Sequence, residues 1–317
     1  MNDTSISLQI QQIRRESEDT ASFDLVAADE HPLPAFTAGA HINVLIPGGL
    51  RRSYSLVNSP SERRYYRIAI KREADSQGGS AWFHDSARVG MPLQVSLPVN
   101  DMALTQDAPL SVFIAGGIGI TPMLSMIESL REQGGEWQLH YSARTPQLMA
   151  FRAALQQLDA SDRVRLHFTG QGAPRLDLEH IVRSAPAAAH LYACGPGGLI
   201  DGFIAAAQAR DPQTVHYERF AAAQQAATAG GFALQLLRDG RTLQVPEGQS
   251  ILDVLLDANV NVQYACTQGV CGTCRLDVKG GIPDHRDDCL SDAEKAANNC
   301  IIACCSGSRS ATLVLDI

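Results

Sequence analysis

No stretch of this 317-residue chain is long and apolar enough to read as a membrane-spanning helix, which needs about 20 such residues. Its opening, MNDTSISLQIQQIRRESEDT, lacks the apolar core of a secretory signal. Basic residues are scarce. The 26 Lys and Arg against 34 Asp and Glu leave a formal net charge of −8, which argues against nucleic acid or an anionic membrane as the main partner. These absences together predict a cytoplasmic protein. Cysteine is almost missing from the first 265 residues, where Cys194 stands alone. The other seven, from Cys266 to Cys305, fall within the last 52 residues. Without an export signal, such a concentration reads as metal or redox chemistry rather than a disulfide framework. The rest of the composition is ordinary, 45% hydrophobic and 19% charged, enough to bury real cores. The length predicts two or three domains.

Pattern separates three segments, and no internal repeat is visible. Residues 1–103 carry short alternating stretches, SLQIQQI, HINVLIP, YRIAIKR and LQVSLPV, broken by Gly, Pro and Asn. That is the signature of an antiparallel β-barrel. Residues 104–226 alternate strands with helices: LSVFIAGG leads into ITPMLSMIESLREQGG, and WQLHYSA, VRLHFTG and HLYACGP follow. This predicts an α/β domain with a parallel sheet. AAAQQAATAGG (221–231) is small, uncharged and reads as a linker. The remainder, 227–317 with the linker included, has a hairpin pattern, a short helix in SILDVLLDANV, the cysteine loop and a closing strand, ATLVLDI. That is a small α+β module.

The run Cys266-Thr-Gln-Gly-Val-Cys271-Gly-Thr-Cys274 has the spacing C-x4-C-x2-C. With a distant fourth cysteine, this is the plant-type [2Fe–2S] arrangement. Soft thiolates suit iron–sulfur clusters. Gly269 and Gly272 let a tight loop turn so that several sulfurs converge. Structural zinc usually takes two short cysteine knuckles, and only one is complete here. Cys289, Cys300, Cys304 and Cys305 are the candidates for the fourth ligand, and position just before the last strand favours the Cys304–Cys305 pair.

CTQGVCGTC, followed by PDHRD (283–287), SDAEK (291–295) and the closing TLVLDI, resembles the reductases of the phthalate dioxygenase reductase type, which include the vanillate demethylase reductases. The resemblance covers the whole chain. It implies a flavin-binding barrel, a nicotinamide domain and a C-terminal, β-grasp-like ferredoxin domain. In that family the fourth ligand is followed by one residue and then Ser, which makes it Cys304 here; the family usually continues Ser-Arg-Ala, where this chain has Ser306-Gly307-Ser308. Cys289 and Cys300 read as ordinary buried thiols.

In the first segment, Arg52-Ser53-Tyr54-Ser55 offers polar side chains along a strand. Arg52 can grip a phosphate in bidentate fashion, Tyr54 can stack beside a flat ring, and Ser55 can hydrogen-bond near a flavin's reactive nitrogen. Downstream come Ala69-Ile70-Lys71, then Gly78-Gly79-Ser80 at a helix start, where backbone amides can cradle phosphate. The pair of motifs resembles the ferredoxin-reductase-like flavin domain. The resemblance implies FMN rather than FAD. The other basic residues nearby, Arg51, Arg63, Arg64, Arg67 and Arg72, read as a solvated strand face.

Gly116-Gly117-Ile118-Gly119, followed by Thr121, joins a strand to a helix and permits close approach of a pyrophosphate. Cys194-Gly195-Pro196 ends another strand, as a crevice at the carboxyl ends of a parallel sheet requires. The two together resemble the nicotinamide domain of ferredoxin reductases. On that resemblance, Gly116–Gly119 and Thr121 lie near the pyrophosphate and flavin, Cys194 and Glu218 near the nicotinamide, and Phe220 near the flavin ring. Ser142 and Arg144 are candidates for the adenosine end. No basic cluster marks a 2′-phosphate site, so NADH is expected over NADPH. His285, Trp82 and Trp137 read as structural. The resemblance thus implies an NADH-dependent oxidoreductase passing electrons through FMN and [2Fe–2S] to a Rieske-type aromatic oxygenase or demethylase. Another monooxygenase as acceptor, or a non-catalytic redox sensor, are the competing readings.

Overall fold

The computed structural model describes residues 5–317 apart from 30, 48, 75, 77, 159–161 and 171. The chain divides into two compact units, the first ending at Arg219 and the second beginning at Phe220. Among the described residues no helix is long and apolar enough to cross a membrane.

The first unit opens with six strands: β1 (Ser5–Arg15), β2 (Thr20–Ala27), β3 (His41–Leu45), β4 (Arg51–Ser55), β5 (Tyr66–Lys71) and, after helix α1 (Gly79–Asp85), β6 (Pro92–Ser96). Their order is β4-β3-β6-β1-β2-β5, antiparallel throughout. A bridge between Leu56 and Ile68 joins the two edges and closes the barrel. Alternation with period two sends Leu8 and Ile10, Phe23 and Leu25, Ile42 and Val44, Ile68 and Ile70, and Leu93 and Val95 into one core. Each such side chain stabilises the fold by about 1.5–3 kcal/mol. Phe83 of α1 joins them and meets Phe23 and Tyr54 edge to face at 4.9 and 5.4 Å. The basic run is not simply a solvated face. Arg67 grips the buried Asp24 with two hydrogen bonds of 2.6 and 2.9 Å, and Arg63 donates to the Leu33 carbonyl. Arg64 pairs with Glu62, Arg72 with Asp85 and Lys71 with Glu73. Much of this cationic charge is spent inside the barrel domain.

The same unit continues with β7 (Ser111–Gly116), α2 (Ile120–Gln133), β8 (Trp137–Ala143), α3 (Arg152–Gln157), β9 (Val164–Phe168), α4 (Leu178–Ser184), β10 (His190–Cys194), α5 (Gly197–Ala207) and β11 (Val215–Glu218). These strands form a parallel sheet in the order β11-β10-β7-β8-β9. β7 is buried along its whole length, as an inner parallel strand covered on both faces must be. The chain winds outward from β7 to β9, then returns to β10 on the other side of β7. The switch point of the sheet therefore lies between β7 and β10, where ligand crevices form in such folds. The four-residue edge strand β11 is the element that the sequence pattern did not single out.

The second unit contains β12 (Phe232–Leu236), β13 (Thr242–Val245), α6 (Ile251–Asp257), β14 (Arg275–Gly280), β15 (Pro283–Asp284), α7 (Asp292–Ala297), β16 (Cys300–Ile302), β17 (Gly307–Ser308) and β18 (Thr312–Leu315). A mixed sheet, β13-β12-β18-β14-β16, is built on the parallel pair β12 and β18. Helix α6 packs Ile251, Leu252, Val254 and Leu255 into the same core as the sheet. Ser250 and Asp253 form its capping box. This is the small α+β module expected from the hairpin, helix and closing strand, and the β-grasp-like one that the resemblance implies.

Candidate functional site

In the second unit, the loop after α6 carries three of the cysteines and the turn after β16 carries two more. Thr267, Gly269 and Gly272 all take positive φ, which bends the chain three times within the loop. The thiols then meet in series. Cys266 makes hydrogen-bonding contact with Cys271 and Cys304, and Cys304 with Cys274 and Cys305. The contact from Cys271, then that from Cys304, holds the Cys266 thiol well below its ordinary range. The N–H of Gln268 also donates to Cys266 Sγ at 3.3 Å, and Thr273 Oγ1 lies 3.2 Å from Cys271 Sγ. All eight cysteines are free thiols.

The donor set fits a [2Fe–2S] cluster. Among the described residues no group of three or more His, Cys, Asp or Glu is arranged to hold one metal ion. The thiols are in contact in the order Cys271–Cys266–Cys304–Cys274, and four such cysteines are the donor set of a plant-type [2Fe–2S] cluster. Cys305 is also buried, and of the other loop thiols it contacts Cys304. A Cβ on Gly269 would come within 2.7 Å of its sulfur, and its thiol lies 3.9 Å from the Ile302 carbonyl. Cys289 is half-buried and turned toward Asp287 Oδ2 at 3.7 Å. Cys300 is buried on β16.

In the first unit, two glycine-bearing turns close on each other at the switch point. Ala115 of β7 and Cys194 of β10 are register partners. A Cβ on Gly119 would drive into the Cys194 carbonyl and come within 2.7 Å of the Gly195 amide; one on Gly116 would meet Pro196 at 2.8 Å. Gly117, between them, has a φ of 54°. Only residues without side chains let these two backbones come so near. Ile118 accepts a 2.9 Å hydrogen bond from the Thr121 hydroxyl, which ties the turn to the start of α2. Thr121 is itself buried, so its part is to shape the turn.

Cys194 is fully buried and pairs in register with Glu218. Burial first, then the Glu218 carboxylate, push its thiol well up. Glu218 lies in an apolar setting that raises it to about 7, with Asp101 adding to the effect. Its Oε2 is buried without a partner. About half of such carboxyls are protonated at pH 7, and the protonated form can donate a hydrogen bond. Asp101, which no local motif marks, is 3.9 Å from His41 Nδ1. Ser142 sits beside Gly116 on β8 and donates to the Ala115 carbonyl at 3.3 Å. Arg144, just beyond, is exposed. Phe220 is half-buried as the first residue of the second unit.

On the barrel, Arg52 and Tyr54 alternate with Ser53 and Ser55 along β4. A Cβ on Gly79 would meet the Arg52 side chain at 2.9 Å, so the guanidinium arm lies across the first turn of α1. Gly78, with a φ of 92°, starts that helix and brings no side-chain cap. The Ala81 N–H of that first turn donates to Ser76 Oγ at 3.1 Å. A cation beside the first amides of a helix fits a phosphate. Tyr54 is partly buried, and loss of solvent around its hydroxyl raises it. Ser53 donates to Asn43 Oδ1 at 2.6 Å, and Ser55 is buried at the strand end. Ala69 and Ile70 are core residues of β5. Lys71 is taken up by Glu73, both contacts being 3.0 Å, and Ser80 Oγ by Ser76 at 2.9 Å.

Similar proteins agree with this layout. A family model for a 2Fe-2S iron-sulfur cluster binding domain matches residues 234–308, and one for an oxidoreductase NAD-binding domain matches residues 113–204. The phenoxybenzoate dioxygenase subunit beta of Ectopseudomonas oleovorans is 49% identical over 98% of this chain and 97% of that protein. A vanillate O-demethylase oxidoreductase from a Pseudomonas species is 40% identical over 98% and 100%. The solved structure of phthalate dioxygenase reductase, described as modular for electron transfer from pyridine nucleotides to [2Fe–2S], matches with a TM-score of 0.85 at 38% identity, covering 99% of this chain and 98% of that one. With the cysteine loop, the paired glycine turns and near-complete coverage at these identities, the chain belongs to the phthalate dioxygenase reductase family of oxidoreductases.

Proposed function

We propose that this chain is the NADH-dependent reductase component of a Rieske-type aromatic-ring oxygenase or demethylase system. It carries electrons from NADH through FMN to a [2Fe–2S] cluster and on to the terminal oxygenase. The observation that carries this is the coexistence, on one chain, of a dinucleotide crevice, a phosphate cradle on a barrel and a four-thiol loop. When bound, flavin supplies the exchange between two-electron hydride chemistry and one-electron transfer.

The residues divide the work by module: 1–103 for FMN, 104–226 for NADH, and 227–317 for linker and cluster. Arg52, Gly78, Gly79 and Ser80 hold the flavin phosphate, with Lys71 adding charge from β5. Ser53, Tyr54, Ser55, Ala69 and Ile70 shape the ring side. Gly116, Gly117, Ile118, Gly119 and Thr121 form the turn that admits the pyrophosphate. Ser142 and Arg144 serve the adenosine end. Cys194, Gly195 and Pro196 wall the nicotinamide, Glu218 presents its carboxyl there, and Phe220 belongs to the flavin-ring side. Cys266, Cys271, Cys274 and Cys304 ligate iron. Dependence on NADH and the absence of a spanning helix among the described residues support a cytoplasmic setting.

The test is to release and identify the flavin of the purified protein, assay iron and acid-labile sulfide, and titrate with NADH anaerobically under visible and EPR spectroscopy. The expected result is FMN, iron and sulfide in equal amounts, and rapid bleaching of both chromophores. A chain that holds its cluster but is not reduced by NADH is a sensor, and the proposal fails.

A further inference from the structure

Residues 221–231 have the composition of a linker, and none lies in a helix or strand. A free linker leaves its backbone groups to water. This one does not. The Ala222 N–H donates to the Gln268 carbonyl at 2.8 Å, and the Ala227 N–H to the Cys305 carbonyl at 2.7 Å. Between them the Ala223 N–H donates to Asp288 Oδ2 at 2.7 Å, and Arg286 reaches Gln224 Oε1 at 3.4 Å. Asp288 in turn donates its own N–H to the Gly269 carbonyl at 3.0 Å. Further along, the Thr228 carbonyl accepts from Gly248 and the Gly231 N–H donates to Val245. Gln268 and Gly269 lie between Cys266 and Cys271, and Cys305 follows Cys304. The segment is thus fastened to both stretches of chain that carry the four thiols.

Side chains agree with the backbone. A Cβ on Gly269 would come within 3.1 Å of the Ala222 Cβ, and one on Gly307 within 2.8 Å of the Ala227 Cβ. Gly269 has other reasons to be glycine, since its φ is positive. Gly307 does not have that reason, because its φ is not in the left-handed range. The space it leaves is filled by Ala227. Small residues on the segment face missing side chains beneath it.

We propose that residues 222–227 are a strap over the cluster-binding loop, with Asp288 as its catch, and that the strap retains the cluster. The inference rests on the four thiols holding a [2Fe–2S] cluster. Fixing Gln268 and Gly269 fixes the turn whose amide reaches the Cys266 sulfur. Asp288 is a positioning residue that acts through the Ala223 amide and the Gly269 carbonyl. Loosening the strap opens the loop to water and chelators.

Hydrogen exchange on the intact holoprotein, together with cluster loss to an iron chelator, tests this in wild type, Asp288→Ala and Gly307→Arg. In wild type, the amides of Ala222, Ala223 and Ala227 should exchange at least about tenfold slower than a free chain. Both variants should lose that protection and release iron several-fold faster, while NADH still reduces the flavin at the wild-type rate. Free-chain exchange in the wild type overturns the proposal, as does loss of protection with unchanged iron release. A wild-type protein lacking iron and sulfide would defeat the cluster reading instead, and the exchange of the strap amides would still be measured separately.

Discussion

At the crevice between β7 and β10, the residues that matter most are those with no side chain. At the cysteine loop they are those with the most polarisable one. Gly116 and Gly119 act by what they omit: their missing Cβ atoms let two strand ends touch backbone to backbone. The loop after α6 uses Gly269 and Gly272 to turn, and its chemistry comes from thiols brought into contact. The difference matches the lifetimes of the guests. A nucleotide that arrives and leaves needs a preformed gap and a few dipoles. A resident cluster needs soft donors whose convergence is part of the fold.

The comparison breaks most sharply at a ligand. Cys304→Ser should abolish the cluster signal in EPR and the visible spectrum, yet leave flavin reduction by NADH in place. Cys305→Ser should keep the cluster, since its thiol lies against Gly269 and toward the Ile302 carbonyl. If the two variants exchange outcomes, the fourth ligand has been misassigned.

A smaller but opposite effect is expected at the crevice. Gly119→Ala presses a methyl group onto the Cys194 carbonyl and the Gly195 amide, and overpacking of this kind costs about 1–3 kcal/mol. Affinity for NADH in flavin-reduction kinetics should fall by about tenfold or more, which is about 1.4 kcal/mol. Iron content should be unchanged. Unaltered kinetics would mean that the two turns do not shape the nucleotide site.

The most graded effect belongs to Glu218. Burial raises its carboxyl from 4.5 to about 7, so the folded state binds this proton more tightly than the unfolded chain does. Its contribution to stability is therefore complete below about pH 4.5 and lost as pH rises through about 7. Glu218→Gln carries no such charge. Above pH 7 the variant should exceed wild type by up to about 3 kcal/mol in denaturant unfolding, with the difference vanishing near pH 4. A pH-independent difference would show that Glu218 is not buried as the structure has it.

Much of this was legible in advance, for a local reason. The C-x4-C-x2-C loop, the glycine turn after LSVFIAGG and the alternating barrel strands all depend on neighbours a few residues apart, where spacing and periodicity translate directly into geometry. Cys304 lies far along the chain from Cys274, and only its resemblance to a family register singled it out. The strand VHYE was missed because four residues at a sheet edge carry too little periodicity. Asp101 beside Glu218 carried no signal at all, since nothing local marks a carboxylate that acts through a strand remote from it.

By itself, then, the sequence determined the three kinds of module, the cysteine loop and the two glycine turns, because each is encoded within a short window. Only the tertiary structure decided where chains from distant windows would meet. It set Gly119 against Cys194, paired Arg67 with the buried Asp24, and buried the Glu218 carboxyl. It also turned AAAQQAATAGG, a linker by composition, into a segment tied to both sides of the cysteine loop. Composition reports what a segment can bury, whereas the hydrogen bonds of alanine and glycine run through the backbone, which every sequence shares.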